Sequence, residues 1–187
     1  FRNVTGVQTC ALPIYLDSNI FISAFSPANT SNIFSNENQG VVNFNGLGSS
    51  GISNPVSLQN KGLIKIINGN GQLSPFIAAN NTGNYEINQS ASLNGGNIYA
   101  GGVLNNGTIN CNIIIQDNAL ADQTITNNGT INGHLIFGGT NAKYLNGSGI
   151  INTLDINVGS GVNLGGRQVL TQQITFGSGA GSLYLNN

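Results

Sequence analysis

Apolar residues alternate with polar residues along much of the chain. Ile64 and Ile66 flank Lys65, and Tyr85 and Ile87 flank Glu86. Side chains of a β-strand point alternately to its two faces, so each apolar pair lies on one face. No stretch combines a 3.6-residue period with good helix formers. The pattern therefore predicts an all-β chain whose strands bury one face.

The strands recur with a spacing that glycine marks. Six glycines follow one another at nearly even intervals, namely Gly40, Gly62, Gly83, Gly107, Gly129 and Gly149. Two positions after them stand Val42, Ile64, Tyr85, Ile109, Ile131 and Ile151. Like residues at a fixed period are typical of stacked repeats. These six apolar residues are therefore predicted to stack in one internal column.

The length of the period separates two all-β arrangements. Eight Asn-Gly pairs would favour two-residue hairpins in an antiparallel sheet. Such a sheet has turn signals about every 8–12 residues, whereas Asn-x-Gly returns only once per full interval. The spacing predicts a right-handed parallel β-helix, a β-solenoid of about six to eight rungs of 20–24 residues. Its repeats are clearest over 38–158, and further rungs are expected after Gly149.

Asparagine accompanies the first five glycines, two positions before each. These residues are Asn38, Asn60, Asn81, Asn105 and Asn127. Stacked amides can bond from one layer to the next, so the five are predicted to form a ladder at a bend.

The beginning of the chain reads differently from the rest. Residues 4–14, Val-Thr-Gly-Val-Gln-Thr-Cys-Ala-Leu-Pro-Ile, resemble a translated sequencing adapter, and they lack the long apolar run of a signal peptide. We therefore expect residues 1–14 to be a non-native segment. Residues 15–187 are then one β-solenoid, interpreted as a piece of a longer reading frame.

Composition excludes several classes of function. Charged residues make up 6% of the chain, against about 25% in typical proteins. A nucleic-acid-binding track needs clustered lysine and arginine, and this chain has only five such residues in all. No run of 18 apolar residues exists to form a membrane-spanning helix. The 39% of hydrophobic residues, placed in register with glycine, favour a folded chain over an Asn-rich disordered one.

Candidate chemistry is sparse. The acidic residues are Asp17, Glu37, Glu86, Asp117, Asp122 and Asp155. Glycoside cleavage needs paired carboxylates, yet only Asp117 and Asp122 are close in sequence, and the acids are interpreted as solvated loop residues. His134, the one histidine, is placed on an outward position without partners for a zinc site. No catalytic, cofactor-binding or metal site is predicted, and the chain is interpreted as no enzyme.

Cysteine and threonine add two smaller predictions. Cys111 stands four positions after a glycine, as Phe44, Ile66 and Ile87 do, and is predicted to be a small buried residue in their column. Thr108 and Thr130 occupy equivalent positions, which hints, with Thr124 and Thr126, at a flat threonine face like that of ice-binding solenoids.

The repeat units are similar to those of a known group of bacterial surface proteins. The chain resembles passenger regions of bacterial autotransporters, most closely rickettsial-type surface antigens. The resemblance rests on the Asn-x-Gly-x-Ile-Asn units, the low charge and the segment Ile-Thr-Phe-Gly-Ser-Gly-Ala-Gly-Ser-Leu at 174–183. The resemblance implies a cell-surface or secreted adhesive rod, monomeric as a module, with a host glycan or surface protein as its partner. The alternative is part of a carbohydrate-active β-helix, a polysaccharide lyase or hydrolase, whose catalytic rungs lie elsewhere.

Overall fold

The computed structural model describes residues 8–9, 13–16, 21–22, 33–37, 39–52, 57–73, 82–117 and 123–185. Every regular element in these ranges is a β-strand, and the strands are numbered β1 to β22 in chain order. All of their pairings are parallel. The predicted all-β, parallel β-solenoid is therefore confirmed, and its handedness stays a prediction.

One strand from each turn contributes to a nine-stranded sheet, which we call face 1. Its strands are β2 (Ile14–Leu16), β5 (Val41–Phe44), β8 (Leu63–Ile66), β10 (Asn84–Ile87), β13 (Gly102–Asn105), β16 (Gln123–Asn127), β18 (Lys143–Asn146), β20 (Val162–Leu164) and β22 (Leu183–Leu185). Turn length varies along this sheet. Val42 pairs with Ile64 and Tyr85 pairs with Val103, so the turn that begins at Tyr85 is the shorter of the two.

The second sheet, face 2, bends along its length into two wings. The first wing contains β3 (Phe21–Ile22), β6 (Ser49–Ile52), β9 (Gly69–Leu73), β11 (Ala91–Gly95) and β14 (Thr108–Ile109), and the second contains β12 (Asn97–Ala100) and β15 (Asn112–Ile115). Three long strands run across both wings, namely β17 (Thr130–Gly139), β19 (Ile150–Val158) and β21 (Val169–Phe176). A small third sheet joins β1 (Gln8–Thr9), β4 (Ile33–Asn36) and β7 (Ser57–Asn60).

The core lies inside the coil. The six apolar residues that follow the glycines are at most 1% exposed, as predicted, namely Val42, Ile64, Tyr85, Ile109, Ile131 and Ile151. Within the described strands, β21 pairs only with β19 and β22 only with β20. Inward positions are consequently open at these two strands, and Phe176 and Leu185 are 54% and 72% exposed.

The six glycines form two columns, so the predicted single column of the apolar residues that follow them is wrong. Gly40, Gly62 and Gly83 stack where the chain enters face 1, whereas Gly107, Gly129 and Gly149 stack where it enters face 2. Leu63 donates its N–H to the Gly40 carbonyl, and Thr130 donates to that of Gly107, both at 2.9 Å.

A short turn explains the change of column. The turn from Tyr85 to its partner Val103 spans fewer residues than the interval from Gly83 to Gly107. Between these two glycines the chain completes a turn and crosses face 1 once more. The predicted apolar column divides with them, into Val42, Ile64 and Tyr85 on face 1 and Ile109, Ile131 and Ile151 on face 2. The motif of glycine followed two positions later by an apolar residue fits both corners, because that apolar residue points inward at each of them.

Two strands involve the expected adapter segment. β1 lies inside residues 4–14, and β2 spans their end, pairing Ile14 with Val42. The adapter origin of this segment stays a prediction.

Candidate functional site

Two pairs of buried asparagines join successive turns. Asn36 Nδ2 donates to Asn60 Oδ1, and Asn105 Nδ2 donates to Asn127 Oδ1, each at 2.8 Å. The predicted ladder is thus confirmed for three of its members, but it occurs in two pieces, and Asn36 is the partner of Asn60. Two other predicted members lie outside the described residues, namely Asn38 and Asn81.

This inner ladder explains why asparagine and glycine recur together. A Cβ atom on Gly83 would lie 2.5 Å from Asn60 Nδ2, and one on Gly149 would lie 2.5 Å from Asn127 Nδ2. The asparagine of one turn therefore occupies the space of a side chain one turn later. Only glycine permits so close an approach.

Ion pairs also connect neighbouring turns. Four carboxylates each meet a base, in the pairs Glu37–Lys61 (3.1 Å), Glu86–Lys65 (2.7 Å), Asp117–Lys143 (2.6 Å) and Asp155–His134 (2.6 Å). The interpretation of these acids as merely solvated loop groups is thereby corrected, because each one binds across turns. The two other acids lie outside the described ranges, namely Asp17 and Asp122.

The pair of His134 and Asp155 was not predicted. His134 is exposed on the outward side of β17, as expected, and its Nδ1 atom contacts Asp155 Oδ2. Thr175, one turn further, donates its hydroxyl to the same carboxylate. The only signal in the sequence is the separation of His134 and Asp155, which matches the length of one turn.

Asp117 and Lys143 form the most buried of the four ion pairs. The Lys143 side chain is 0% exposed, and that of Asp117 is 28% exposed. Asp117 also accepts the backbone N–H groups of Thr140 (2.6 Å) and Asn141 (3.0 Å) and the Thr140 hydroxyl (2.7 Å). Gly139 has a φ of 93°, and its Cβ would lie 2.5 Å from the carboxylate. The carboxylate therefore holds together a corner built by two turns.

These contacts control the ionisation of Asp117. Loss of water around the carboxylate would raise its pKa, but the hydrogen bonds from Lys143, Thr140 and Asn141 outweigh that effect. The pKa of Asp117 is consequently held well below its usual range. Hydrogen bonds from Ser35 and Lys61 likewise lower the pKa of Glu37.

Stability should therefore fall in acid. A carboxyl group whose pKa is lowered by folding stabilises the folded state above its unfolded pKa, about 4. That contribution is lost as the pH falls from about 4 toward the folded pKa. We expect the thermal midpoint to drop over this window and to drop less in Asp117→Asn. Calorimetry of both proteins across the acid range checks this, and parallel curves would contradict it.

Cys111 is buried, as predicted, but in a different column. Its thiol lies 3.9 Å from the Leu93 carbonyl on face 2, not with Phe44, Ile66 and Ile87 on face 1. Burial raises the pKa of Cys111 to about 12, so the thiol stays protonated at neutral pH.

A second ladder of polar side chains runs along the outside of face 2. This outer ladder comprises Asn94, Asn110, Asn132, Asn152 and Thr171, one from each of five turns, and its link from Asn152 Nδ2 goes to the backbone carbonyl of Asn132. Asn110 Nδ2 donates to Asn94 Oδ1 at 2.9 Å, and Asn132 Nδ2 donates to Asn110 Oδ1 at 2.7 Å. Sequence reasoning missed this ladder, although an asparagine stands three positions after Gly107, Gly129 and Gly149.

A second outward column lies beside the outer ladder. Asn112 Nδ2 donates to Asn97 Oδ1 at 3.0 Å, and Asn112 Oδ1 accepts the backbone N–H of His134 at 2.9 Å. Beyond it, Tyr99, Ile114 and Ile136 pair in register. The name polar band is used below for three parallel columns together: the outer ladder, the column of Asn97, Asn112 and His134, and the apolar column of Tyr99, Ile114 and Ile136.

The hinted threonine face is limited to one stacked pair. Thr108 pairs with Thr130, as expected, but Thr130 then pairs with Ile150. On face 1, Thr124 and Thr126 pair with other residue types, namely Tyr144 and Asn146. The described strands therefore carry no wider threonine array.

Two features are absent from the described part of the chain. No three histidine, cysteine or acidic residues there are grouped so that they could hold a metal ion. No helix there is long and apolar enough to cross a membrane.

Comparison with known proteins identifies no relative of this chain. No protein-family model matches the chain, and neither a curated protein nor a solved structure is significantly similar to it.

Proposed function

We propose that the chain is a non-enzymatic, passenger-like β-solenoid that serves as a structural and adhesive module, on a bacterial surface or in secreted form. One observation carries this proposal: four of the six acidic residues bind a basic side chain of a neighbouring turn and so reinforce the stack. Stacked repeats offer long faces for binding. The likeness of the repeat units to autotransporter passengers supports the bacterial setting, with a host glycan or surface protein as partner.

The proposal predicts binding without turnover. We expect the purified chain to be retained on a glycan array or on host cells, and to lose retention when Gly129→Ala disrupts the stack. Binding would be measured by fluorescence of labelled protein. Silence in both assays would count against adhesion. Release of new reducing ends from a bound polysaccharide would instead favour the alternative, a carbohydrate-active β-helix.

A further inference from the structure

We propose that the polar band is the contact surface for an uncharged, hydroxyl-rich polysaccharide that lies along the solenoid axis. This inference rests on the proposed adhesive function and names its surface and ligand class. Three features of the band support it, namely unused hydrogen-bonding capacity, an apolar border and the lack of excess charge.

The outer ladder has hydrogen-bonding capacity to spare. A carboxamide has two N–H donors and an oxygen with two lone pairs. Asn110 uses one donor toward Asn94 and one lone pair toward Asn132. Asn110 and Asn132 are both exposed. Each can therefore offer both a donor and an acceptor to solvent, on a side chain that its neighbours already hold in place.

Fixed amides suit a ligand with many hydroxyl groups. A hydroxyl both donates and accepts, so it can bond to either end of a carboxamide. Side chains that are already ordered lose less conformational entropy on binding. Five turns at about 4.8 Å give a row roughly 19 Å long, parallel to the axis. An extended chain can contact the row repeatedly, with one set of contacts per turn.

The apolar border offers a surface for the carbon-bearing side of a sugar. Tyr99 and Ile136 are half-buried, and Ile114 between them is 9% exposed. They point outward, since the neighbouring Ile98 and Leu135 are 0% exposed. Ligand sites commonly combine apolar contact with a few fixed polar groups. Tyrosine supplies an apolar ring and a hydroxyl in one side chain.

Charge favours a neutral ligand over an acidic one. His134 is paired with Asp155, the residue that pairs in register with Ile136 at the end of the apolar column. The described lysines belong elsewhere, in the Glu37 and Glu86 pairs or in the buried Lys143 pair. Arg167 stands before β21, at the corner where the chain leaves face 1. An anionic polysaccharide would thus meet no excess of positive charge in the band.

A protein partner fits this surface less well. Protein interfaces are usually centred on well-packed aromatic and arginine side chains. Among the members of the band, Tyr99 is the one aromatic residue and arginine is missing. The band is instead dominated by amides.

The test compares two exposed asparagines of the same turn. Asn132→Ala removes a member of the outer ladder. Asn128→Ala removes a matched bond, from Asn128 Nδ2 to Asn106 Oδ1 at 3.0 Å, outside the band. Calorimetric titration would use neutral cello-, manno- and galacto-oligosaccharides, with heparin as the charged comparison. We expect Asn132→Ala to weaken neutral-oligosaccharide binding about tenfold, as for loss of one or two hydrogen bonds, and Asn128→Ala to leave it unchanged within about twofold.

His134 provides a second readout, because it is the only histidine in the chain. Its ring protons are expected to shift in NMR spectra on addition of the neutral oligosaccharide and to stay in place with heparin. Equal thermal midpoints of the two variants would exclude unfolding as the cause of lost binding.

Three outcomes would overturn the inference: equal effects of the two variants, preference for heparin, or no binding of neutral oligosaccharides. Host-cell retention decides the proposed function separately. If the chain adheres to cells but does not bind neutral oligosaccharides, the proposed adhesive function stands and the polar band is not a polysaccharide site. A protein partner is then favoured.

Discussion

Gly129→Ala is expected to destabilise the solenoid by about 3 kcal/mol, because the added methyl group has no space. Its Cβ would lie 2.0 Å from the Gly107 carbonyl oxygen. That carbonyl accepts the N–H of Thr130 at 2.9 Å, so the backbone cannot withdraw without loss of a bond between turns. The clash is with backbone atoms, which cannot change rotamer. Urea unfolding followed by far-ultraviolet circular dichroism measures the loss.

Gly96→Ala is the matched control. Gly96 lies at the bend between β11 and β12, and a Cβ there would meet no atom within 4 Å. We expect the free energy of unfolding to change by no more than about 0.5 kcal/mol. Equal stability of the two alanine variants would show that turns are not packed closely at Gly129.

Asp117→Ala is expected to cost about 3–5 kcal/mol, the usual effect of leaving a buried charge without its partner. Lys143 is 0% exposed and would retain an ammonium group with no carboxylate to bind. The N–H groups of Thr140 and Asn141 would lose their acceptor as well. Thermal and urea unfolding at neutral pH measure the effect.

Two comparison variants isolate the cause. Glu37→Ala removes a pair whose side chains are 31% and 36% exposed, and should cost at most about 1 kcal/mol. Adding Lys143→Met to Asp117→Ala removes the stranded charge and should recover part of the lost stability. If the Glu37 and Asp117 variants were equally stable, burial of Lys143 would not be the source of the effect.

Local patterns in the sequence predicted the strands and their inward faces. The inward position of Ile64 and Ile66 can be read from three consecutive residues, because neighbouring side chains in a strand point to opposite faces. The period of the glycines predicted parallel turns, since hairpins would repeat faster. Burial of Cys111 followed from its phase in this alternation, and the stacked positions of Asn60, Asn105 and Asn127 followed from the repetition of Asn-x-Gly.

The stacking of one turn on another could not be predicted in the same way. The turn from Val42 to Ile64 is longer than the turn from Tyr85 to Val103. A change of a few residues places different side chains above one another while leaving the local alternation intact. For this reason the sequence predicts one column for the six apolar residues that follow the glycines, although they form two.

The sequence by itself determined which residues face the core, which kind of fold stacks them and where glycine is required. Only the tertiary structure decided that Asp117 meets Lys143, that Asp155 meets His134 and that Asn110 bonds to Asn132. The physical reason is that the side to which a side chain points is set by the local backbone. Contacts between successive turns of the solenoid depend instead on the summed length of every corner and loop between them.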